Sequence, residues 1–404
     1  MAKIPCDSGS IPMNDMKEDE VRNRGLVLSV RIIGLIGLVI VAAFLWNLAT
    51  VLEANRRKAE LSRVTQDIQN LKKLGARGYL HQQNSPNPNW TEPSNWDRVS
   101  HVQATGKRIR DISALSKMRH LKRLDITNSQ VHDLSPLSGL KDLEELTLHQ
   151  TKVHDLSPIS ELKSLKRLGL RNTRVSDLST LEDLTNLEIL TLWSVPVINL
   201  TPLRKMKRLY HLNLRATKAH NVTPLRNLTN LTWLNLYGTR IQNVSPLGGL
   251  VNLETLYLNR TPVSDISALK QLKRLKRLSL YDTRVSDVSA IAELTDLNWL
   301  HLSNSHVTDI LPLANLKKLE ELGLHHTDIS DISALKGLTN LKTLLLQHTK
   351  VHDVTPLMNL RKLKTLRVVG SPINKAVIEN LKRTLPDCVI ESGHGHPDGD
   401  DRTP

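Results

Sequence analysis

The sequence predicts an α/β solenoid: a curved parallel β-sheet with short helical or 3₁₀ turns on its convex side, preceded by a single transmembrane helix. Three observations carry this. Aliphatic residues recur at a fixed 22-residue interval from Val99 onward, without insertion or deletion. Within each interval, apolar residues first alternate with polar ones and then meet a Ser-Pro or Thr-Pro step in many units, the pattern of a short strand followed by a helical turn. Upstream, Ile32 to Leu52 form an apolar run of 21 residues, enough to cross a hydrocarbon layer of roughly 30 Å as a helix.

Residues 1–31 read as a disordered tail, polar and charged. Residues 32–52 read as the transmembrane helix, with Asn47 its only strongly polar interruption. The apolar core of a cleaved signal peptide is usually about 7 to 15 residues long, shorter than this run, which favours an uncleaved anchor. Lys17, Arg22, Arg24 and Arg31 precede the span and Arg56, Arg57, Lys58 and Arg63 follow it, so flanking charge does not set the orientation. A short tail, one early span and a large C-terminal region match a signal anchor. On that analogy the chain is a single-pass membrane protein with its repeats on the exported side, periplasmic or extracellular.

In residues 53–74, Leu61, Val64, Ile68 and Leu71 recur at spacings of three and four, one face of an amphipathic helix or stalk. Two readings stand side by side: a stalk that dimerises the chain, and a helix folded onto the first repeat. One or two heptads is too little to choose. Residues 75–98, with Gly75, Gly78, Pro86, Pro88 and Pro93, read as a linker or N-terminal cap.

The repeat domain covers residues 99–370. One unit runs from Leu143 to Ser164, with apolar positions at Leu143, Leu146, Leu148, Val153, Leu156, Ile159 and Leu162. Leu146 and Leu148 alternate with polar neighbours and give a strand with one buried face. Ser157 is expected to cap the following turn and Pro158 to occupy its first position. A unit this small cannot enclose its own apolar face, so neighbours must stack and bury a continuous column of leucine. Each buried leucine contributes about 1.5–3 kcal/mol. With a single Phe and 3% aromatic residues in the chain, leucine must do the packing.

This unit resembles the 22-residue leucine-rich repeat of the internalins and of a protein phosphatase 1 regulatory subunit. The resemblance covers roughly two thirds of the chain. Where that repeat often carries Asn, this one carries Thr151, Thr173, Thr217 and their equivalents, whose hydroxyls can still bond the turning backbone. The resemblance implies a protein or ligand recognition role for the concave sheet, without carrying over a partner.

Residues 371–390 resemble a repeat cap, with Ile373, Val377, Ile378, Leu381 and Leu385 at helical spacing and Cys388-Val389-Ile390 as a last strand. Residues 391–404 read as a disordered tail. Its His394, His396, Asp398, Asp400 and Asp401 lack a scaffold to hold a metal, so no metal and no cofactor is expected. Cys6 and Cys388 flank the span on opposite sides and form no disulfide framework.

Strand alternation aims the third, fifth and seventh positions of each unit at the concave side. Six of the seven Trp and Tyr residues in the repeats fall there: Trp193, Trp233, Tyr237, Tyr257, Tyr281 and Trp299. They cluster in repeats five to ten, with His211, Arg215 and His301 on the same face, together with Asn235, Asn259 and Arg277. Aromatics favour strands in general, but equivalent strands in repeats two to four, eleven and twelve have none. An aromatic patch with interspersed polar groups has the composition of a recognition surface.

The Asp of the turn, as in Asp133, Asp155 and Asp177, becomes Asn199, Asn221 and Asn243 in repeats five to seven. Its role reads as turn ordering rather than calcium binding. Asn-x-Ser/Thr sequons at Asn89, Asn199, Asn221, Asn227, Asn230 and Asn243 follow from the repeat text and suit glycosylation in a competent host. Net charge of +15 favours an anionic contact. Basic pairs such as Lys207-Arg208 and Lys273-Arg274 can line a rim or simply keep a leucine-rich protein soluble.

The sequence therefore favours a membrane-anchored module that binds a protein on its concave face, with glycan as second candidate and no nucleic acid expected. The alternative is a structural or envelope-organising protein acting through its basic surface and stalk. No nucleophile with its base, no phosphate-cradling loop and no metal triad is present in the repeats, so an enzyme is not expected.

Overall fold

The computed structural model describes residues 15–80 and 85–393, with side chains from residue 37 onward. The chain divides into two units at Gln66 and Asp67. In the first, helix α1 begins at Asp15 and runs on to Lys73. Of the stretch 1–31 expected as a tail, residues 15–31 are helical and residues 1–14 lie outside the described residues. Residues 15–31 hold good helix formers such as Met16, Lys17, Glu18 and Glu20 and no proline. Extending an existing helix needs no new nucleus, so the apolar run propagates it outward. For the same reason no break separates the expected span from the expected stalk. From Gly37 the helix is long and apolar enough to cross a membrane, with none of its most apolar window buried. Leu38, Phe44 and Trp46 are exposed.

In the second unit, the end of α1 closes one end of the apolar column. Ile68 and Leu71 are buried there, with Ala76, Leu80, Trp90 and Trp96. Gln69 donates to the Thr91 hydroxyl at 2.8 Å, and Lys72 donates to the Pro88 carbonyl. Strand β1 (Arg77–Leu80) pairs antiparallel with β2 (Val99–Gln103). Trp90 lies directly on Gly78, where an added Cβ would fall 2.4 Å from the indole.

Beyond the cap, the 22-residue interval becomes a parallel stack. Three-residue strands β3 (Arg123–Asp125) to β14 (Thr365–Arg367) follow β2 in sequence order, each in register with the equivalent residues 22 positions on. The central leucine of each strand and the aliphatic residue two positions later are buried, as for Leu146 and Leu148. Twelve 3₁₀ turns, from Ser113–Lys117 to Thr355–Leu357, form the opposite side. The fold is a leucine-rich-repeat solenoid.

The turn capping differs from expectation. Ser157 is the first residue of its 3₁₀ turn, and the N-cap, Leu156, makes no side-chain bond. Asp155 does the capping from further back: its carboxylate accepts from the Ser157 N–H at 2.8 Å and from the Ser157 hydroxyl at 2.8 Å. A carboxylate two residues ahead presents two acceptors, where a seryl side chain at the first turn position faces the wrong way to reach the free N–H groups. Asn199, Asn221 and Asn243 make the same backbone bond, at 2.8–2.9 Å, without the charge.

The eighth position of every repeat has positive φ, from Gly106 through Gln150 and Ala216 to Gly370. Its N–H then reaches the neighbouring repeat, as when Gln150 donates to the Arg171 carbonyl at 2.7 Å. The threonine that follows donates back to the carbonyl three residues earlier, Thr151 to Leu148 at 2.8 Å. At the far end, helix α2 (Lys375–Thr384), capped by Asn374, buries Ile378 and Leu381, and β15 (Val389–Glu391) pairs parallel with β14. Glu391 is thus in a strand rather than in a tail, and the histidines and aspartates from His394 onward, like Cys6, lie outside the described residues.

Candidate binding surface on the sheet

Six adjoining strands, with the residues just after them, carry the predicted residues: β6 (Ile189–Thr191), β7 (His211–Asn213), β8 (Trp233–Asn235), β9 (Thr255–Tyr257), β10 (Arg277–Ser279) and β11 (Trp299–His301), with β5 (Arg167–Gly169) alongside β6. Because the strands are in register, third, fifth and seventh positions form columns across the sheet, and side chains one repeat apart meet.

Five of the nine predicted residues form one chain of ring contacts. His211 stacks on Trp233 with centroids 4.0 Å apart. Tyr257 meets Trp233 edge-on at 5.8 Å and Trp299 edge-on at 6.1 Å. Trp299 stacks on His301 at 4.1 Å, and the Arg277 guanidinium lies 4.7 Å over the Trp299 ring. All five rings are half-buried. Burial lowers the His211 pKa from its ordinary 6.5 and keeps the imidazole neutral at pH 7. His301 Nε2 lies 2.8 Å from Glu321 on the next strand, β12 (Glu321–Gly323), and this bond, first among several causes, holds the Glu321 carboxyl below its usual value.

Three more residues form a second row in the seventh-position column. Trp193 has the Arg171 guanidinium 3.6 Å from its ring centre and that of Arg215 4.8 Å from it. Arg215 also lies 4.2 Å over the Tyr237 ring, with Arg260 5.7 Å from that ring. Tyr281 belongs to neither row; its ring neighbour is His325, at 6.0 Å. Arg171 is not among the residues expected from the sequence, because repeat four has no aromatic residue. Reading the seventh position alone, 22 residues at a time, finds it beside Trp193.

A groove of about 810 Å³ lies along the edge formed by the eighth to tenth positions, between Arg260, Arg284, His306, His326 and His348. It was not foreseen, since the eighth and tenth positions vary in residue type from unit to unit. Among the described residues no group of three or more His, Cys, Asp or Glu is placed to hold a metal.

The basic pairs are engaged between repeats. Arg208 meets Glu188 at 3.2 Å, Lys273 meets Glu293 at 2.9 Å, Lys318 meets Asp296 at 2.6 Å, and Arg274 donates to Asn252 at 2.9 Å.

Comparison with known proteins agrees with this architecture. A family model described as leucine-rich repeats in two copies matches residues 229–271. Among solved structures, an internalin, inlF, from Listeria monocytogenes is similar at 28% identity and a TM-score of 0.72, over 75% of this chain and 89% of that one. A leucine-rich-repeat protein of Leptospira interrogans shares the fold at 23% identity and a TM-score of 0.62, over 70% and 81%. A plant peptide hormone receptor, RGFR1, in complex with RGF2, shares it at 16% identity and a TM-score of 0.57, over 68% and 52%. No curated protein matches the chain. The chain has the leucine-rich-repeat fold, with internalin-like structural neighbours, and carries one N-terminal helix with the length and composition of a membrane span.

Proposed function

We propose that this protein is a membrane-anchored recognition module that binds a protein partner on the solvent side of its sheet, the side its sequence predicts as concave. The observation that carries the reading is the row His211, Trp233, Tyr257, Trp299 and His301. These rings are packed against one another and still half open to solvent. Stacking restricts their rotamers before any partner arrives, which lowers the ordering cost of association. Large, pre-packed aromatic residues with polar edges are the usual centre of an interface.

The basic surface supports the alternative, an envelope-organising role, less well. Lys273, Lys318, Arg208 and Arg274 are spent on inter-repeat bonds. A stalk for dimerisation is also weakened, because Ile68 and Leu71 are buried within their own chain.

A photo-crosslinking residue at position 257 of the full-length, membrane-inserted protein, followed by mass spectrometry, identifies the partner. Trp233→Ala and Trp299→Ala are then each expected to weaken its binding by about 2 kcal/mol or more, with circular dichroism unchanged. Unchanged affinity in both variants rejects the reading. Protease accessibility in intact cells tests the side on which the repeats sit.

A further inference from the structure

The arginine and aromatic row of the seventh-position column has an electrostatic property that the aromatic row does not. From β5 to β11, the third, fifth and seventh positions hold no Asp or Glu at all, and they hold Arg167, Arg171, Arg215 and Arg277. Arg167 is neutralised by Glu145 at 3.3 Å, and Arg277 faces the nearby Glu321 carboxylate. Arg171 and Arg215 differ. Among the described residues neither guanidinium has a carboxylate in salt-bridge range, and Arg171 Nε is buried without a hydrogen-bond partner.

Both guanidiniums are nevertheless held in place. Arg171 comes from the repeat before Trp193 and Arg215 from the repeat after it, so the indole lies between them. Contact with an aromatic face orients a guanidinium while leaving its in-plane N–H groups free. Those N–H groups form a planar fork that matches a carboxylate in two parallel bonds. Two strand spacings separate the repeats that carry them, which sets the forks about 10 Å apart. An extended peptide in the polyproline II conformation rises about 3.1 Å per residue with three residues per turn, so side chains three residues apart point the same way and match that interval.

A sugar platform fits less well. A pyranose ring stacks on an open aromatic face. Here guanidiniums take the faces of Trp193, His211 lies on a face of Trp233, and His301 and Arg277 lie over Trp299.

We propose that Arg171 and Arg215 are carboxylate-reading residues, and that the partner presents an acidic, extended segment across β5 to β8 with carboxylates three residues apart. This rests on the reading of the sheet as a recognition face and adds the chemistry of what is recognised there.

The test uses the full-length protein in detergent micelles and three probes: a twelve-residue peptide of four Glu-Gly-Ser units, its Gln-Gly-Ser counterpart, and a heparin-derived oligosaccharide. The Glu peptide is expected to bind at least about tenfold more tightly than the Gln peptide, and to lose about tenfold with Arg171→Gln and again with Arg215→Gln. Arg171→Lys and Arg215→Lys, which keep the charge and lose the planar fork, are expected to lose affinity as well. Lys273→Gln with Lys318→Gln removes the same charge from the basic rim and should change nothing. Equal losses in the Arg171 and Arg215 variants and in the rim variant mean bulk charge and overturn the proposal. So does equal binding of both peptides, absence of binding, or tighter oligosaccharide binding that depends on the same arginines. If the partner crosslinked from position 257 needs Trp233 and Trp299 but is indifferent to both arginines, the recognition face stands and the acidic segment falls.

Discussion

His211 and Trp233, 22 residues apart in sequence, stack with ring centres 4.0 Å apart and planes 3° from parallel. The repeat length itself produces this pairing, because register places every third-position residue beside its equivalent on the next strand. The indole is therefore part of what removes His211 from water.

One consequence is a titration. Burial depresses the His211 pKa below 6.5, so the folded state binds this proton less readily than the unfolded chain does. Its effect on stability is nil well above pH 6.5 and becomes a loss as pH falls below it. Trp233→Ala should raise the His211 pKa towards its ordinary value and reduce that loss, while removing about 0.5–1.5 kcal/mol of ring contact at neutral pH. NMR titration of the His211 ring in both proteins checks this; an unmoved midpoint means that the indole does not shield it.

The eighth-position turn gives a stability test with opposite signs in adjacent repeats. Ala216 has φ of 54° and Gly238, one repeat on, has φ of 65°. A Cβ in the left-handed region costs about 1–2 kcal/mol, partly offset by the greater unfolded-state freedom of glycine. Ala216→Gly is expected to stabilise by about 1 kcal/mol, and Gly238→Ala to destabilise by a similar amount. At position 238 the nearest atom to an added Cβ is 3.9 Å away, so crowding does not confuse the result. Equilibrium urea denaturation of both variants settles the sign.

These examples show what sequence made legible. Leu146 and Leu148 declare a strand because burial enforces their alternation, and the constant spacing declares the stack. Trp233 and Trp299 could be assigned to the sheet face by position alone. Arg171 could not be, since its significance comes from a neighbour 22 residues away rather than from its own unit. Nor could Ala216, because a backbone angle demanded by inter-repeat hydrogen bonding leaves little trace when Gln, Ser, Arg and His occupy the same position in other repeats. Trp90 and Trp96 lie in the stretch 75–98 that the sequence leaves open between linker and cap, because their partners, Gly78 and Thr91, belong to no periodic pattern.

Turn carboxylates make the solenoid sensitive to acid. Asp155 is held below its ordinary 3.8 by the Ser157 N–H first and then by the Ser157 hydroxyl, and Asp133, Asp265 and Asp287 have the same causes. A lowered folded pKa means that these groups stabilise the fold above about pH 4 and stop doing so as pH falls through their lowered values. Asp133→Asn, Asp155→Asn, Asp265→Asn and Asp287→Asn together should keep the backbone bond, as Asn199 does at 2.9 Å. The fourfold variant is expected to show a flatter decline of Tm as pH falls below about 4, where carboxylates with lowered pKa values titrate. An identical acid slope would mean that other carboxylates carry the effect.

The N-terminal cap should fail at one glycine. Gly78 Cα faces the Trp90 indole so closely that a methyl group would sit 2.4 Å from two of its ring atoms. Trp90 is 2% exposed and its backbone is tied into the segment that covers β1, so the ring has little room to retreat. Gly78→Ala is expected to cost about 1–3 kcal/mol through overpacking. In a repeat stack each unit contacts only its neighbours, so the damage should stay local and appear first as fraying of β1 and β2. Hydrogen exchange would show faster amide exchange over residues 77–103 with little change beyond Leu143. Uniform loss of protection along all the repeats would mean instead that the solenoid unfolds as one cooperative block and that the cap sets the stability of the whole.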